Sequence, residues 1–326
     1  MIIGINNSAI YNGTGQYANR MQMIKDLEIY SFIMDKRKSD YTFTGNIVNG
    51  IFPPITSGYW LNVKTIKKRI DILIREYEFP HILNPFYYAG DEYSRTGIIT
   101  IHDLYYKYMP SSYYTKMTKK IIEKYKQYEN IITISNSVKE EMIKEGFNEE
   151  KITVIYNYVN DKEFYPIQSN KINEDYPIIL TVGDGKSKNN DIVRKITKEN
   201  DYCHIHIGND IVADINYTHI SNNQLCSLYN ISDVYVRLAD FEGFGYPPVE
   251  SLFCGTPVVV SDIPTYRETL GDAGVYANKD TLVEGIEYAL NNRQYLLNRF
   301  NNIKSAYSKD IFYDKMNKYY EMVRNE

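Results

Sequence analysis

One stretch constrains the fold of this chain more than any other, residues 233–262, which read DVYVRLADFEGFGYPPVESLFCGTPVVVSD. The apolar run 234–238 predicts a buried strand, and the glycine-rich segment 240–246 predicts a loop. The β-branched run 258–260 predicts the next strand. A strand, a loop, a helix and a second strand in this order predict an α/β fold built around a parallel sheet.

The helix within this stretch is delimited by its own residues. Pro247 and Pro248 suit a helix start, where a missing N–H costs nothing, and Gly255 suits the helix end. Glu242 lies in the loop, and Glu250 is expected in the first turn of the helix, with seven residues between them. Acids near helix starts often only complement the helix dipole, which would explain Glu250 but not Glu242. We therefore expect both to face the crevice at the carboxyl ends of the strands, where open α/β sheets bind ligands.

The same residues match a known pattern. Exposed amides at a helix start favour phosphate, and a carboxylate can accept the paired hydroxyls of a ribose. The stretch closely resembles the donor-site signature of glycosyltransferase family 4, E-x7-E inside EGFG-x-P-x-x-E followed by G-x-P-V-V. The resemblance implies an α/β GT-B fold, in which two Rossmann-like, doubly wound domains face a central cleft. It also implies a retaining transferase that uses a nucleoside-diphosphate sugar.

The length of 326 residues is sufficient for two domains of ordinary size. The polar segment 166–177 predicts an interdomain linker. We expect an N-terminal, acceptor-side domain at 1–167 and a C-terminal nucleotide-sugar domain at 168–308. The amphipathic segment 309–326 predicts a final helix, which in the GT-B fold crosses back onto the first domain.

Composition and charge exclude several classes of protein. The three cysteines, Cys203, Cys226 and Cys254, lack any CxxC spacing, which indicates reduced residues of a cytoplasmic protein. No apolar run has the length of a signal peptide or a membrane span. The net charge of −4 is unevenly distributed, because residues 1–166 carry 21 Lys/Arg against 19 Asp/Glu. Neither half has the basic excess typical of a nucleic-acid-binding protein.

A second glycine-rich segment follows the predicted first strand, residues 1–5. Gly13 and Gly15 lead into a helix predicted at 16–27, and glycines at a helix start let the backbone approach a ligand closely. The family resemblance implies that this loop approaches the donor phosphates and the acceptor.

The same loop also spells G-x-G-x-x-A through Ala18, and Asp35 follows Gly15 by 20 residues. This spacing makes an NAD-dependent Rossmann oxidoreductase the alternative function. However, the dinucleotide fingerprint should start directly after the strand, and here seven residues intervene. That alternative would also leave 233–262 unexplained.

A histidine follows another buried strand, predicted at 97–101. A lone histidine at a strand end is more often structural than functional. The run IITIHDL resembles the family's T-[IV]-H-D-L, which implies that His102 lies against the donor sugar near the reaction centre.

The loop after the strand predicted at 178–183 resembles the family's phosphate clamp, V-G-x…K-N. Gly183 and Lys188 match that pattern. The usual arginine is absent, because Asp184 stands just after the strand, and Lys186 is the candidate substitute. Lysine is a point charge that cannot bind two phosphate oxygens at once as arginine does. The absence of the arginine therefore affects how strongly the clamp holds phosphate. A non-catalytic, GT-B-like nucleotide-sugar binding protein is therefore a further alternative.

The resemblance implies a role for each candidate. Glu242 would hold hydroxyls of the sugar and Glu250 the ribose, while Lys188, Lys186 and backbone amides would stabilise the departing diphosphate. No carboxylate is an evident covalent nucleophile, so we favour attack from the face that the diphosphate leaves. The predicted catalytic residues are Glu242, His102 and Lys188, and the predicted donor-binding residues are Gly13, Gly15, Gly183, Lys186, Phe244, Gly245 and Glu250.

We expect no metal site and no cofactor beyond the donor substrate. His204 and His206 alternate with isoleucines as strand residues do, and no third ligand or supporting carboxylate suggests itself from the sequence. Asp240 and Glu242 mimic a metal-binding D-x-D, but enzymes of the resembled type generally dispense with a metal. We therefore expect turnover to survive treatment with a chelator.

Two predicted helices of the first domain, 63–77 and 111–128, are basic. One interpretation is an ordinary solvated face. The other is peripheral contact with the anionic inner face of a membrane, where a glycan or lipid-linked acceptor would be met. The lysines concerned are Lys64, Lys67, Lys68, Lys116, Lys119, Lys120 and Lys124.

Overall fold

A computed structural model describes residues 1–6, 13–31, 46–47, 72, 77–83, 93–104, 119–120, 122–168 and 175–325. The chain divides into two compact units. Unit 1 comprises Met1–Ile155 together with Tyr313–Glu326, and unit 2 comprises Tyr156–Phe312.

The described part of unit 1 contains a seven-stranded sheet in the order β3-β2-β1-β4-β5-β6-β7, with every pair parallel. Its strands are β1 (Ile2–Asn6), β2 (Leu27–Ser31), β3 (Asn46–Ile47), β4 (Pro80–Ile82), β5 (Ile98–Ile101), β6 (Asn130–Thr133) and β7 (Ile152–Val154). The strand order reverses between β1 and β4, so the sheet is doubly wound.

Two helices of unit 1 have described bounds, α1 (Gly13–Met21) and α2 (Asn136–Lys144). Ser135 caps α2, because its side chain accepts a hydrogen bond from the Val138 amide. The prediction of a helix at 16–27 was wrong at both ends. The helix begins at Gly13 and stops at Met21, because the chain turns at Asp26, where φ is +62°, and then enters β2.

The described part of unit 2 contains a six-stranded parallel sheet in the order β10-β9-β8-β11-β12-β13. Its strands are β8 (Ile178–Val182), β9 (Cys203–Ile207), β10 (Ile215–Tyr217), β11 (Val234–Arg237), β12 (Val258–Val260) and β13 (Gly274–Tyr276). The helices are α3 (Asn190–Glu199), α4 (Asn222–Ile231), α5 (Tyr246–Phe253), α6 (Pro264–Leu270), α7 (Leu282–Asn291) and α8 (Arg293–Asn301). The two doubly wound units confirm the predicted α/β architecture.

The apolar strands of unit 2 are buried because helices cover both faces of a parallel sheet. Val234, Val236 and Val259 are each 0 % exposed, and they pack in one cluster with Leu282 and Ile286 of α7. Burying one such side chain contributes about 1.5–3 kcal/mol, so the strand core fixes the positions of the loops that follow.

The last helix, α9 (Lys309–Asn325), belongs to unit 1 from Tyr313 onward. Tyr313 Oη donates to the Arg20 carbonyl at 2.7 Å, and Tyr320 Oη is hydrogen-bonded to His81 Nδ1 at 2.7 Å. A C-terminal helix that returns to the first domain was the expectation for a GT-B chain.

The change from unit 1 to unit 2 lies at 155/156, earlier than the predicted boundary at 167/168. Residues just after β7 already belong to the second unit. Tyr156 Oη donates to Glu268 at 2.7 Å, and the Val159 amide donates to the Tyr307 carbonyl at 3.1 Å.

All three cysteines are free thiols. Cys226 and Cys254, which are far apart in sequence, are both buried, and their sulfur atoms lie 3.7 Å apart. Within the described ranges, no helix combines the length and the hydropathy needed to cross a bilayer.

Candidate active site

The loop from β11 to α5 is shaped by glycine and proline. Gly245 precedes the helix with φ of +82°, and a Cβ at this position would lie 2.7 Å from Cε1 of Tyr266. Only glycine meets both conditions, because other residues disfavour positive φ and would clash with the ring. Two prolines occupy the first turn, and Gly255 follows the helix with φ of +83°.

Glu242, in this loop, is held by a buried arginine. Glu242 Oε1 accepts hydrogen bonds from Arg237 Nε at 3.3 Å and from Arg237 Nη2 at 3.1 Å. The Glu242 carbonyl accepts from Thr265 Oγ1 at 2.6 Å. The side chain remains 23 % exposed, so the carboxylate is fixed in place and still open on one side.

Arg237 is a candidate site residue that the sequence analysis missed. It is the last residue of β11 and only 3 % exposed, and its Nη1 donates to the Val182 carbonyl at 2.6 Å. Burial disfavours its charge, but Tyr235 and Glu242 outweigh this effect and keep the pKa of Arg237 above its ordinary value. A charged residue at the end of an otherwise apolar strand was the available signal.

Lys188 lies beside this pair. A single 3₁₀ turn, Lys186–Lys188, follows β8 and folds the Lys188 side chain back over Gly183. A Cβ at Gly183, where φ is +87°, would lie 2.6 Å from Lys188 Nζ. Burial and, to a smaller extent, the charge of Arg237 lower the pKa of Lys188 to about 8, while the charge of Glu242 opposes the shift. An anion at this point would relieve the cost of both cations.

These residues meet at the switch point of the sheet. The strand order of unit 2 reverses between β8 and β11, and Gly183 and Arg237 stand at the carboxyl ends of these two strands. Open parallel sheets bind ligands at this place. The structure therefore brings Gly183, Lys188 and Glu242 together as predicted candidates, and Arg237 joins them.

The other second-unit candidates lie near the same helix or loop. Lys186 is exposed. Phe244 is 2 % exposed and packs edge-on against the rings of Tyr246 and Tyr307. Its side chain is therefore structural, and any role in the site falls to the backbone of Phe244 and Gly245.

Glu250 does not lie where it was expected. The helix begins at Tyr246, so Glu250 follows the first turn rather than belonging to it. Its carboxylate is buried, at 4 % exposure, and Oε2 accepts a hydrogen bond from Tyr229 Oη at 3.3 Å. The early helix start, one residue before the two prolines, accounts for the difference.

In unit 1, His102 follows β5 as predicted. Its Nε2 donates to the Leu83 carbonyl at 2.8 Å, and its ring packs edge-on against Tyr17 with centroids 4.8 Å apart. Burial lowers the pKa of His102 to about 4, so the imidazole is neutral at pH 7. Because Nε2 carries the proton, Nδ1 is left as an acceptor.

Behind His102 lies a buried network that the sequence did not reveal. His81 Nε2 is hydrogen-bonded to Thr100 Oγ1 at 2.7 Å, and Thr100 Oγ1 is also 3.3 Å from Tyr17 Oη. Burial lowers the pKa of His81 to about 3. Gly13 and Gly15 lie in the first turn of α1, at the carboxyl end of the same sheet.

The predicted absence of metal ligands needs one correction. The expectation that no carboxylate supports the histidine pair was wrong, because Asp184 and Asp210 both approach His206. Loops after β8 and β9 bring them there, and sequence spacing alone does not show this. Asp240 is instead held by Asn189, whose Nδ2 donates to Asp240 Oδ1 at 2.8 Å. Whether the enzyme needs a metal for turnover stays a prediction.

Comparison with known proteins identifies the family. The description "Glycosyltransferase Family 4" matches residues 41–163, and "Glycosyl transferases group 1" matches residues 213–306. The O-antigen chain mannosyltransferase RfbU of Salmonella typhimurium is 31% identical over 241 residues, which cover 66% of this chain and 67% of RfbU.

Solved structures agree on the fold. Sucrose-phosphate synthase from Thermosynechococcus elongatus superimposes with a TM-score of 0.78 at 15% identity, covering 99% of both chains. HepE from Anabaena, in complex with UDP and glucose, has a TM-score of 0.75 at 13% identity, covering 100% of this chain and 99% of HepE. The chain belongs to glycosyltransferase family 4 and is a GT-B glycosyltransferase.

Proposed function

We propose that this glycosyltransferase moves a hexosyl group from a nucleoside-diphosphate sugar to a glycan or lipid-linked acceptor, with retention of anomeric configuration. The observation that carries the proposal is the group of Lys188, Arg237 and Glu242 at the switch point between β8 and β11. Two cations and one carboxylate, all fixed by neighbouring residues, match a ligand that has an anionic part and a hydroxyl-bearing part.

The cations would bind the diphosphate. Lys188 extends over Gly183, which has no side chain to block a close approach of phosphate oxygens to the backbone. As the bond to the sugar breaks, negative charge grows on the departing diphosphate. Groups that are already in position stabilise this charge without reorganisation, which is usually the largest contribution to catalysis.

The two glutamates would bind hydroxyl groups. Glu242 is held by Arg237, and Glu250 is held by Tyr229, so neither carboxylate needs to be ordered on binding. In this proposal, Glu242 accepts hydrogen bonds from the sugar and Glu250 from the ribose.

The unit 1 candidates are given roles in this proposal as well. His102 presents a neutral imidazole whose Nδ1 can accept a hydroxyl proton, and its Nε2 is occupied by Leu83. We propose that His102 contacts the donor sugar, and that the backbone at Gly13 and Gly15 approaches the phosphates and the acceptor.

The proposed reaction proceeds on one face of the sugar. The acceptor hydroxyl attacks the anomeric carbon as the bond from that carbon to the diphosphate oxygen breaks, and the departing phosphate takes the hydroxyl proton. Glu242 is a poor covalent nucleophile in this arrangement, because Oε1 already accepts two hydrogen bonds from Arg237. No cofactor is assigned a step.

The relatives guide the choice of substrate. RfbU is described as an O-antigen chain mannosyltransferase, and HepE has been solved with UDP and glucose. We therefore place mannose first among candidate sugars and a growing polysaccharide first among acceptors.

Thermal unfolding in the presence of UDP-, GDP-, ADP- and TDP-sugars tests the donor proposal. A ligand at 100 times its dissociation constant stabilises the protein by about 2.7 kcal/mol, which is readily measured. The nucleotide sugar should no longer stabilise Lys188→Met. Lys279→Met is the matched control, because Lys279 is exposed and lies far in sequence from the loop that contains Lys188.

The anomeric configuration of the product, read by NMR from the one-bond coupling between its anomeric carbon and proton, tests retention. A product with inverted configuration would refute the same-face mechanism. A panel in which no nucleotide sugar stabilises the wild type would refute the donor proposal.

A further inference from the structure

A second cluster of polar groups lies at the carboxyl ends of β8 and β9, at Asp184, His206 and Asp210. Their ligand atoms lie within 4.8 Å of one another. His206 Nε2 is 2.9 Å from Asp210 Oδ1 and 3.6 Å from Asp184 Oδ1. The His206 side chain is fully buried, yet Nε2 makes no hydrogen bond of acceptable geometry with any described residue. A buried ring nitrogen without a hydrogen bond needs an explanation.

The position of the ring proton follows from a chain of hydrogen bonds behind His206. The Thr197 hydroxyl donates to the Arg194 carbonyl at 3.0 Å, so its oxygen can only accept from His204 Nδ1, 3.3 Å away. Nδ1 of His204 therefore carries the proton of this neutral ring, and Nε2 is an acceptor.

The chain continues through a threonine of β8. Thr181 Oγ1 lies 2.8 Å from His204 Nε2 and 2.8 Å from His206 Nδ1. Because a hydroxyl has one proton and His204 Nε2 must receive it, the Thr181 oxygen accepts from His206 Nδ1–H. In neutral His206, Nε2 then presents a lone pair toward two carboxylates.

Three acceptors that converge repel one another unless a cation lies between them. The carboxylates are also supported as metal ligands usually are. Asp184 Oδ1 accepts from the Asn209 and Asp210 amides at 2.5 and 3.2 Å, and Asp210 Oδ2 accepts from the Gly185 amide at 2.9 Å.

The backbone leaves space at the same place. A Cβ on Gly208 would collide with both Asp184 Oδ1 and His206 Nε2. Asp184 is 46 % exposed and Asp210 is 27 % exposed, so an ion can enter from solvent and keep water in its remaining positions.

We propose that Asp184, His206 and Asp210 bind one divalent transition-metal ion. One imidazole nitrogen with two carboxylate oxygens is a ligand set that suits Zn²⁺ or Mn²⁺ better than Ca²⁺ or Mg²⁺, which prefer oxygen alone. The ion offsets the negative charge of Asp184 and Asp210. Both carboxylates lie close enough to Lys188 to favour its charged form. It has no assigned step in sugar transfer, and the proposal does not rest on the donor that the enzyme uses.

Calorimetric titration of Zn²⁺ into the chelator-treated and desalted 326-residue protein tests this site directly. We expect one Zn²⁺ per chain, an affinity at least tenfold lower for Asp184→Asn and Asp210→Asn, and an affinity unchanged for Asp240→Asn. Asp240→Asn is the matched control because Asp240 is in the neighbouring loop but outside the cluster. Asparagine retains an acceptor oxygen for the Gly185 amide, so Asp210→Asn should fold.

Mn²⁺ titration followed by electron paramagnetic resonance provides an independent measurement, with Mg²⁺ as competitor. Displacement of Mn²⁺ by equimolar Mg²⁺ would overturn the proposed ion selectivity. If the wild type bound neither Zn²⁺ nor Mn²⁺ at millimolar concentration, the proposed site would be overturned. A proton on His206 Nε2 would then occupy the position proposed for the ion. Equal Zn²⁺ binding by wild type and Asp210→Asn would also overturn the site. Because neither titration includes a nucleotide sugar, failure here would leave the proposed transferase function intact.

Discussion

The two units share a doubly wound parallel sheet but differ in the polar groups at the carboxyl ends of their strands. In unit 2, three charged residues, Arg237, Glu242 and Lys188, lie together at the switch point. In the described part of unit 1, two buried histidines near this edge, His81 and His102, are neutral and are hydrogen-bonded to Thr100 and Leu83, respectively. The same topology therefore surrounds a group of charged residues in one unit and a pair of neutral imidazoles in the other. Function follows from the residues of the site rather than from the fold.

The largest effect on stability is expected from replacing Arg237, the buried cation of unit 2. Arg237→Met should destabilise the protein by about 3–5 kcal/mol, because it leaves Glu242 and the Val182 carbonyl without their buried partner. Denaturant unfolding measures this loss. Arg299→Met is the control, since Arg299 pairs with Asp272 at the surface and such pairs contribute about 0–1 kcal/mol. Equal losses in both variants would contradict a special role for Arg237.

The neutral character of unit 1 predicts sensitivity to acid. The folded-state pKa values of His81 and His102 are about 3 and about 4, below the value of the unfolded chain. Their contribution to stability is therefore fully present above about pH 6.5 and falls as the pH drops toward 4, by a few kcal/mol in order of magnitude.

Unfolding at pH 7 and pH 5 measures this effect. The difference should shrink in His81→Gln and stay unchanged in His219→Gln, whose histidine is exposed. A pH dependence that His81→Gln leaves untouched would assign the acid sensitivity to other groups.

Replacing Glu250 tests whether a second carboxylate of unit 2 contributes to donor binding. Glu250→Gln should weaken donor binding about 10- to 150-fold, which corresponds to about 1.5–3 kcal/mol for a hydrogen bond to a charged group. Calorimetry with the donor found by the thermal panel measures it. Glu268→Gln is a carboxylate control on α6, where Glu268 accepts from Tyr156. Unchanged affinity in Glu250→Gln would remove Glu250 from the site.

The lowered pKa of Lys188 predicts a pH dependence of binding. Lys188 is cationic below about pH 8 and loses its charge above it, so donor affinity should fall about tenfold between pH 7 and pH 9.5. Titrations at both pH values test this. Lys188→Arg, which stays charged, should flatten the profile, and an equally steep profile in that variant would contradict the assignment.

The smallest expected effect concerns the surface of unit 1. Lys119 and Lys120 are exposed in a helical segment, whereas Lys64, Lys67, Lys68 and Lys116 lie outside the described residues. If this surface contacts anionic lipid, replacing Lys119 by Gln should weaken binding to anionic vesicles at low salt about fivefold, as measured by co-sedimentation. Each basic residue contributes about 1 kcal/mol near such a surface. Wild-type protein that ignores anionic vesicles at low salt would leave the ordinary solvated face as the interpretation.

The sequence by itself determined the strand–loop–helix–strand segment at residues 233–262. Gly245, Gly255 and the paired prolines set the bounds of α5 by local backbone conformation, which needs no distant contact. The runs at 178–183 and 258–260 likewise predicted strands, which the structure shows at Ile178–Val182 and Val258–Val260. The bounds of α1 were less predictable, because they depend on the turn at Asp26 and the start of β2.

The tertiary structure alone decided which polar residues meet. Arg237 reaches the Val182 carbonyl at the end of β8 because β11 pairs with β8, although 55 residues separate Arg237 from Val182 in sequence. Asp184 and Asp210 reach His206 because β8 pairs with β9 and their loops leave the sheet at the same edge. Local sequence patterns determine the backbone conformation of a loop. The order of the strands in the sheet determines which other loops lie beside it, and that order depends on long-range packing.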